Sequence, residues 1–204
     1  MAIKKTGASA IKLIKPKYIV ATMFNGTETD DNPKGDSFII ETAVRDTVTL
    51  SPDENTSTDI ECETSDTPIL SVVTLGRYQV AAEVADTQDD ILTAIGGFTK
   101  VGDKVYAPAS YTERYCKLDV AFEMADGSLT AFVVPKLQLN TRLMIESLNS
   151  NIARTNLAGT AQSISVTDGD KTLQTALYKQ NNYTLPTATV TPPTGGREGG
   201  SGNP

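Results

Sequence analysis

The chain has 204 residues, 39% hydrophobic and 21% charged, with a net charge of −7, two Cys, no Trp and no His. That length suits one ordinary domain with room for tails, and such a domain builds its core without disulfide staples or structural metals. The absence of His excludes Ser-His-Asp and Cys-His relays and imidazole ligands, and no apolar run approaches the 18 residues of a membrane-spanning helix.

The chain opens on a basic arm, residues 1–17. Residues 1–20 hold five Lys and no acid, whereas 21–90 hold sixteen acids against three bases, and 91–204 ten bases against nine acids. A body this acidic repels a phosphate backbone, because gripping nucleic acid needs a basic footprint. The charged start is followed by no apolar core of the kind a signal peptide carries. Tyr18 to Phe24 is a short apolar run of strand formers. Residues 25–36 are a polar stretch without periodicity, and a loop of that length in a compact domain is usually functional or mobile. Phe38 to Leu50 returns to β-type residues.

Asp59 to Glu63 alternates strictly. In a strand it places Asp59, Glu61 and Glu63 on one face and Ile60 and Cys62 on the other. Leu70 to Val84 reads as one strand region. Tyr78, Val80, Ala82 and Val84 share the face toward the core of an antiparallel sheet. The period then changes. Residues 87–96 read as a short helix capped by Asp86 or Thr87, with acids in its first turn, an apolar stripe of Ile91, Leu92 and Ile95, and a glycine stop at Gly96 or Gly97. Cys62 and Cys116 lie in strand-like runs, which points to free thiols in a reducing compartment.

Lys117 to Val134 is a β-hairpin with Asp126-Gly127 at its tip. A two-residue turn pairs Met124 with Leu129, Phe122 with Ala131 and Val120 with Val133 on a core face. The other face then pairs Glu123 with Thr130, Ala121 with Phe132 and Asp119 with Val134. Ala121, Phe132 and Val134 are apolar where a solvated sheet would be polar, so another layer of the chain or another subunit covers them. Leu137 to Ser147 alternates well, Ile152 to Ala161 reads as a closing strand, and residues 162–180 are a candidate added hairpin with a turn at Asp168-Gly169, whose second arm, Thr172 to Lys179, fits either strand or helix. Residues 186–204 are a Pro- and Gly-rich tail that cannot bury enough apolar surface to order itself.

Catalytic and cofactor patterns are missing. Gly195 to Gly200 follows no strand and precedes no Lys-Ser/Thr pair, so it makes no phosphate loop. Asp66-Thr67-Pro68 lacks the glycine of an aspartic-protease loop. Asp30-Asp31 and Asp168/Asp170 match no full calcium loop. The expectation is a protein that is not an enzyme and has no cofactor and no metal.

The order of elements carries a resemblance. The Leu70–Val84 strand region, the helix ending Ile95-Gly96-Gly97, and the hairpin and strands from Lys117 to Ala161 resemble a tailed-bacteriophage major tail tube protein. The segment after residue 161 and the basic arm depart from that pattern. The resemblance implies a mainly β fold: a β-sandwich or barrel-like pair of antiparallel sheets with one short flanking helix and extended terminal arms, placed at 18–185. It implies a homo-oligomer, with six copies in a ring and rings stacked into a tube through which DNA passes without specific binding. Tail terminator and tape-measure proteins become candidate partners, without a membrane, in a virion tail assembled in the bacterial cytoplasm. Under that reading Asp59, Glu61 and Glu63 form an acidic stripe facing the lumen, and Ala121, Phe132 and Val134 meet a neighbouring subunit. Asn25, Glu28, Asp30, Asp31, Lys34 and Asp36 belong to an inter-ring loop, joined by the arm 1–17 and the tail 186–204. The alternative is a capsid decoration or adhesin-type binding module.

Overall fold

A computed structural model describes residues 16–26, 32–41, 43, 46–62, 65–85, 88–124, 126–144 and 154–186. Its elements run β1 (Pro16–Met23), β2 (Ser37–Ile40), β3 (Thr49–Pro52), β4 (Thr56–Cys62), β5 (Ser65–Thr74), β6 (Tyr78–Val84), α1 (Asp89–Ala94), β7 (Thr99–Val101), β8 (Lys104–Tyr106), β9 (Tyr115–Glu123), β10 (Leu129–Leu139), β11 (Arg142–Met144), β12 (Arg154–Ala161), β13 (Ile164–Asp168), β14 (Lys171–Thr175) and β15 (Tyr178–Gln180). The fold is mainly β, antiparallel, with one short helix and no closed barrel.

The main sheet has the order β2-β1-β9-β10-β12-β6-β3, with β11 added on β12 and β15 on β10. The longest strand, β10, is the pivot. Its first half pairs with β15 and its last three residues with β12, while β9 runs along its other side. The β9 register shifts between Val134 and Leu137, around the buried Pro135. A proline has no N–H for the ladder and a bulge bends its strand, so the sheet turns there. The bend lets β6 and β12 face β1 and β9. Ile19, Leu118, Val134, Leu137, Val84 and Leu157 meet in one core, each at most 1% exposed. Each such side chain contributes roughly 1.5–3 kcal/mol through burial. The expected face of Val80, Ala82 and Val84 is indeed the core face, and β12 lies inside the sheet between β10 and β6 rather than closing it.

Three local expectations change. First, the β9–β10 turn is one residue longer than a two-residue loop. The Met124 amide donates to Ser128 O at 2.8 Å, the Gly127 amide donates to Met124 O at 3.0 Å, and Gly127 takes φ +82°. This is the longer hairpin loop in which a left-handed glycine rejoins the ladder. The extra residue shifts the pairing to Phe122 with Thr130, Ala121 with Ala131 and Val120 with Phe132. A one-residue slip exchanges the faces of one strand relative to the other. Phe132 and Val134 therefore point with Phe122 and Leu118, and Phe132 meets Phe122 edge to face at 5.7 Å. Ala121 lies on the opposite face.

Second, the helix is Asp89–Ala94. Gln88 stands at its N-cap without a side-chain cap bond, and Asp86 and Thr87 lie outside the described residues. The acids of the first turn, the buried Ile91, Leu92 and Ile95, and the left-handed glycine stop are as expected, with Gly97 at φ +73°. The Arg114 guanidinium covers that glycine and reaches the carbonyls of Thr93 and Ala94 at 3.4 Å. A cation there suits the partial negative charge at a helix C-terminus.

Third, 70–84 is not one strand. It breaks at Leu75 to Arg77 into β5, which pairs only with β4 among the described strands, and β6, which belongs to the main sheet. A Cβ at Gly76 would collide with the Asp53 carbonyl. The close approach that splits the strand therefore needs glycine.

Candidate functional site

The β4–β5 ribbon stands off the main sheet. Its base is fixed where the Gly76 amide donates to Asn55 Oδ1 at 3.0 Å, the Asp53 amide to Arg77 O at 2.8 Å, and Gln79 Nε2 to Asp53 Oδ2 at 2.8 Å. Ile60 pairs with Leu70, Thr58 with Val72 and Asp59 with Ser71. Ile60, Leu70 and Val72 thus share one face with the Thr58 methyl, and Asp59, Ser57, Ser71 and Val73 share the other. The apolar side chains are open to solvent: Ile60 is 49% exposed, Leu70 53%, Val73 60% and Leu75 77%. A two-stranded ribbon exposed on both faces is marginal in water, and exposed apolar clusters mark interaction surfaces. Sequence reading missed this surface because it took Leu70 to Val84 as a half-buried strand. The signal was Gly76, which ends one apolar run before the next begins.

Of the expected acidic stripe, Asp59 is exposed and opposite Ile60, as alternation requires, and its Oδ1 accepts from the Ser57 and Ser71 hydroxyls. The Glu61 side chain and Glu63 lie outside the described residues, as do Glu28, Asp30 and Asp31 of the expected inter-ring loop. The rest of that loop, Asn25, Lys34 and Asp36, is exposed where the β1–β2 connection closes: the Met23 amide donates to Asp36 O and the Gly35 amide to Met23 O, both at 2.9 Å. Residues 1–15 and 187–204, most of the arm and tail, are also outside the described residues.

Ala121, Phe132 and Val134 do not form one surface. Val134 is fully buried in the main core, and Ala121 is fully buried on the far face with Ala131, Val133 and Tyr183. The cover is the chain itself. β15 pairs with Ala131 to Val133, and Tyr178, Tyr183 and Leu185 pack over that face. A second feature unmarked by any motif lies here. Asp119 is 7% exposed and its Oδ2 accepts from the Tyr183 hydroxyl at 2.7 Å, while Oδ1 has no partner among the described residues. Burial pushes the Asp119 carboxyl above its ordinary range, against the opposing pull of Tyr183 and Lys117. Burial raises the Tyr183 phenol as well, helped by Asp119. Cys116 is a buried free thiol that burial keeps protonated, so it is inert as a nucleophile.

No protein-family model matches the chain, and no similarity to a curated protein is found.

Proposed function

We propose that the chain is a structural subunit that assembles with copies of itself into rings and stacked rings, a tube of the kind the tail-tube resemblance implies. The observation that carries this reading is the ribbon: Ile60, Leu70, Val72 and Val73 in solvent on a two-stranded element whose outer edges have no strand partner among the described residues. Exposed edges and apolar ribbons favour aggregation unless a defined neighbour fills them. The main sheet also ends on β2 at one side and β3 at the other. Pairing one copy's β2 edge with the next copy's β3 edge is a heterologous contact, which closes into a ring when the rotation allows. The acidic body then suits a passage for DNA, since like charge keeps a phosphate backbone from adhering to the wall.

Sedimentation velocity over a range of concentrations, with negative-stain images of the same samples, tests this. Rings or tubes about 80–100 Å across are expected if six domains of ordinary radius surround a pore. Monodisperse monomers at every concentration overturn the reading.

A further inference from the structure

Strand registers place the base of the ribbon and the Pro16 end of β1 at opposite ends of the sheet. Pro16, where the arm joins β1, pairs with Phe122 near the tip of the β9–β10 hairpin. The base of the ribbon lies in the other direction. Gln79 pairs with Ser51 and with Thr160, Thr160 with Gln138, and Gln138 with Tyr115 at the start of β9. From Tyr115 to Phe122 is about 23 Å along a strand rising ~3.3 Å per residue. Beyond that row the chain runs on into β4 and β5, away from the sheet.

The two segments are complementary in charge. Residues 53–66 contain Asp53, Glu54, Asp59, Glu61, Glu63 and Asp66 and no base, while residues 1–15 contain Lys4, Lys5, Lys12 and Lys15 and no acid. Ile11 and Leu13 alternate with Lys12 in the arm. In an extended segment Ile11, Leu13 and Lys15 lie on one face and Lys12 and Ile14 on the other. The ribbon has a matching division, with Ile60, Leu70 and Val72 on one face and Asp59 together with Val73 on the other. A third strand with an apolar face is what such a ribbon needs for stability.

We propose that residues 11–15 of a second copy add as a strand to a free edge of the β4–β5 ribbon, with Ile11 and Leu13 against its apolar face and Lys12 and Ile14 on the side of Asp59 and Val73. A chain's own segment does not reach. Leu13 stands three residues from Pro16, a span of at most about 10 Å, against the ~23 Å length of the sheet. The contact is head-to-tail, so it propagates along the strand direction and stacks copies end to end. This rests on the proposed self-assembly and deepens it. It also assigns Asp59 to a subunit contact instead of a lumen wall.

Charge exchange in the full-length chain tests it. An arm variant carries Lys12→Glu, and a ribbon variant carries Asp59→Lys. Each alone should self-associate at least tenfold more weakly than the unmodified chain, with less dependence on salt. Mixed one to one, they should recover association, because each then offers the other a matching arm and ribbon. Variants that associate like the unmodified chain, or a mixture that recovers nothing, overturn this contact while leaving ring formation standing. End-to-end fibres without rings would support the contact and overturn the tube. An unmodified chain that stays monomeric overturns both.

Discussion

The Asp119 carboxyl is buried against Tyr183, with one oxygen unpartnered among the described residues, and its raised pKa gives stability a definite pH dependence. The folded state holds its proton more tightly than the unfolded chain does. The stabilisation is therefore complete below the ordinary value of 3.8 and is lost as pH rises from there through the raised value. Asp119→Asn keeps an acceptor for the Tyr183 hydroxyl and removes the ionisation. The expected outcome is that urea midpoints of this variant fall less steeply above pH 4 than those of the unmodified chain. A parallel pH dependence in the two proteins would show that Asp119 does not carry the effect. Neither role was legible in the sequence. Asp119 sits in an alternating strand where an acid reads as solvent-facing, and only the fold of residues 178–185 onto that face desolvates it.

At the scale of the element, the ribbon and the main sheet are continuous in chain but separate in packing. Gly76 is the joint: its lack of a Cβ lets the Asp53 carbonyl approach. Gly76→Ala should push these two segments apart. Hydrogen exchange should then speed up for the amides of β4 and β5 while those of β9 and β10 keep their protection, since local opening and global unfolding are distinct. Equal loss of protection across both would mean the joint supports the whole sheet. The helix shows the opposite case. Its acids, apolar stripe and glycine stop were all readable, because these signals act within a turn or two of chain. Its cap was not, and the described helix begins at Asp89 with no side-chain cap bond.

For the whole molecule, the β9–β10 register decides which surfaces exist. With Val134 in the main core, Val134→Ala should lower unfolding free energy by about 2 kcal/mol through lost burial. It should leave the concentration dependence of sedimentation unchanged once both proteins are compared fully folded. A change in association with little loss of stability would return Val134 to a subunit interface. Under the proposed assembly the contact surfaces are instead the ribbon and the sheet edges, whose apolar side chains and backbone groups no described residue covers.

The mainly antiparallel β class, the buried alternation of β6, the short helix with its stop at Gly97, the hairpin at Asp126-Gly127 and the turn at Asp168-Gly169 were set by the order of residues alone, since each depends on neighbours a few positions apart. Tertiary structure alone decided that Ala121 and Val134 face opposite ways, that Tyr183 closes over Asp119, and that Leu70 to Thr74 leaves the sheet. These outcomes sum contacts between residues far apart in sequence. One extra residue in a turn is enough to exchange a strand's faces while leaving its local pattern unaltered.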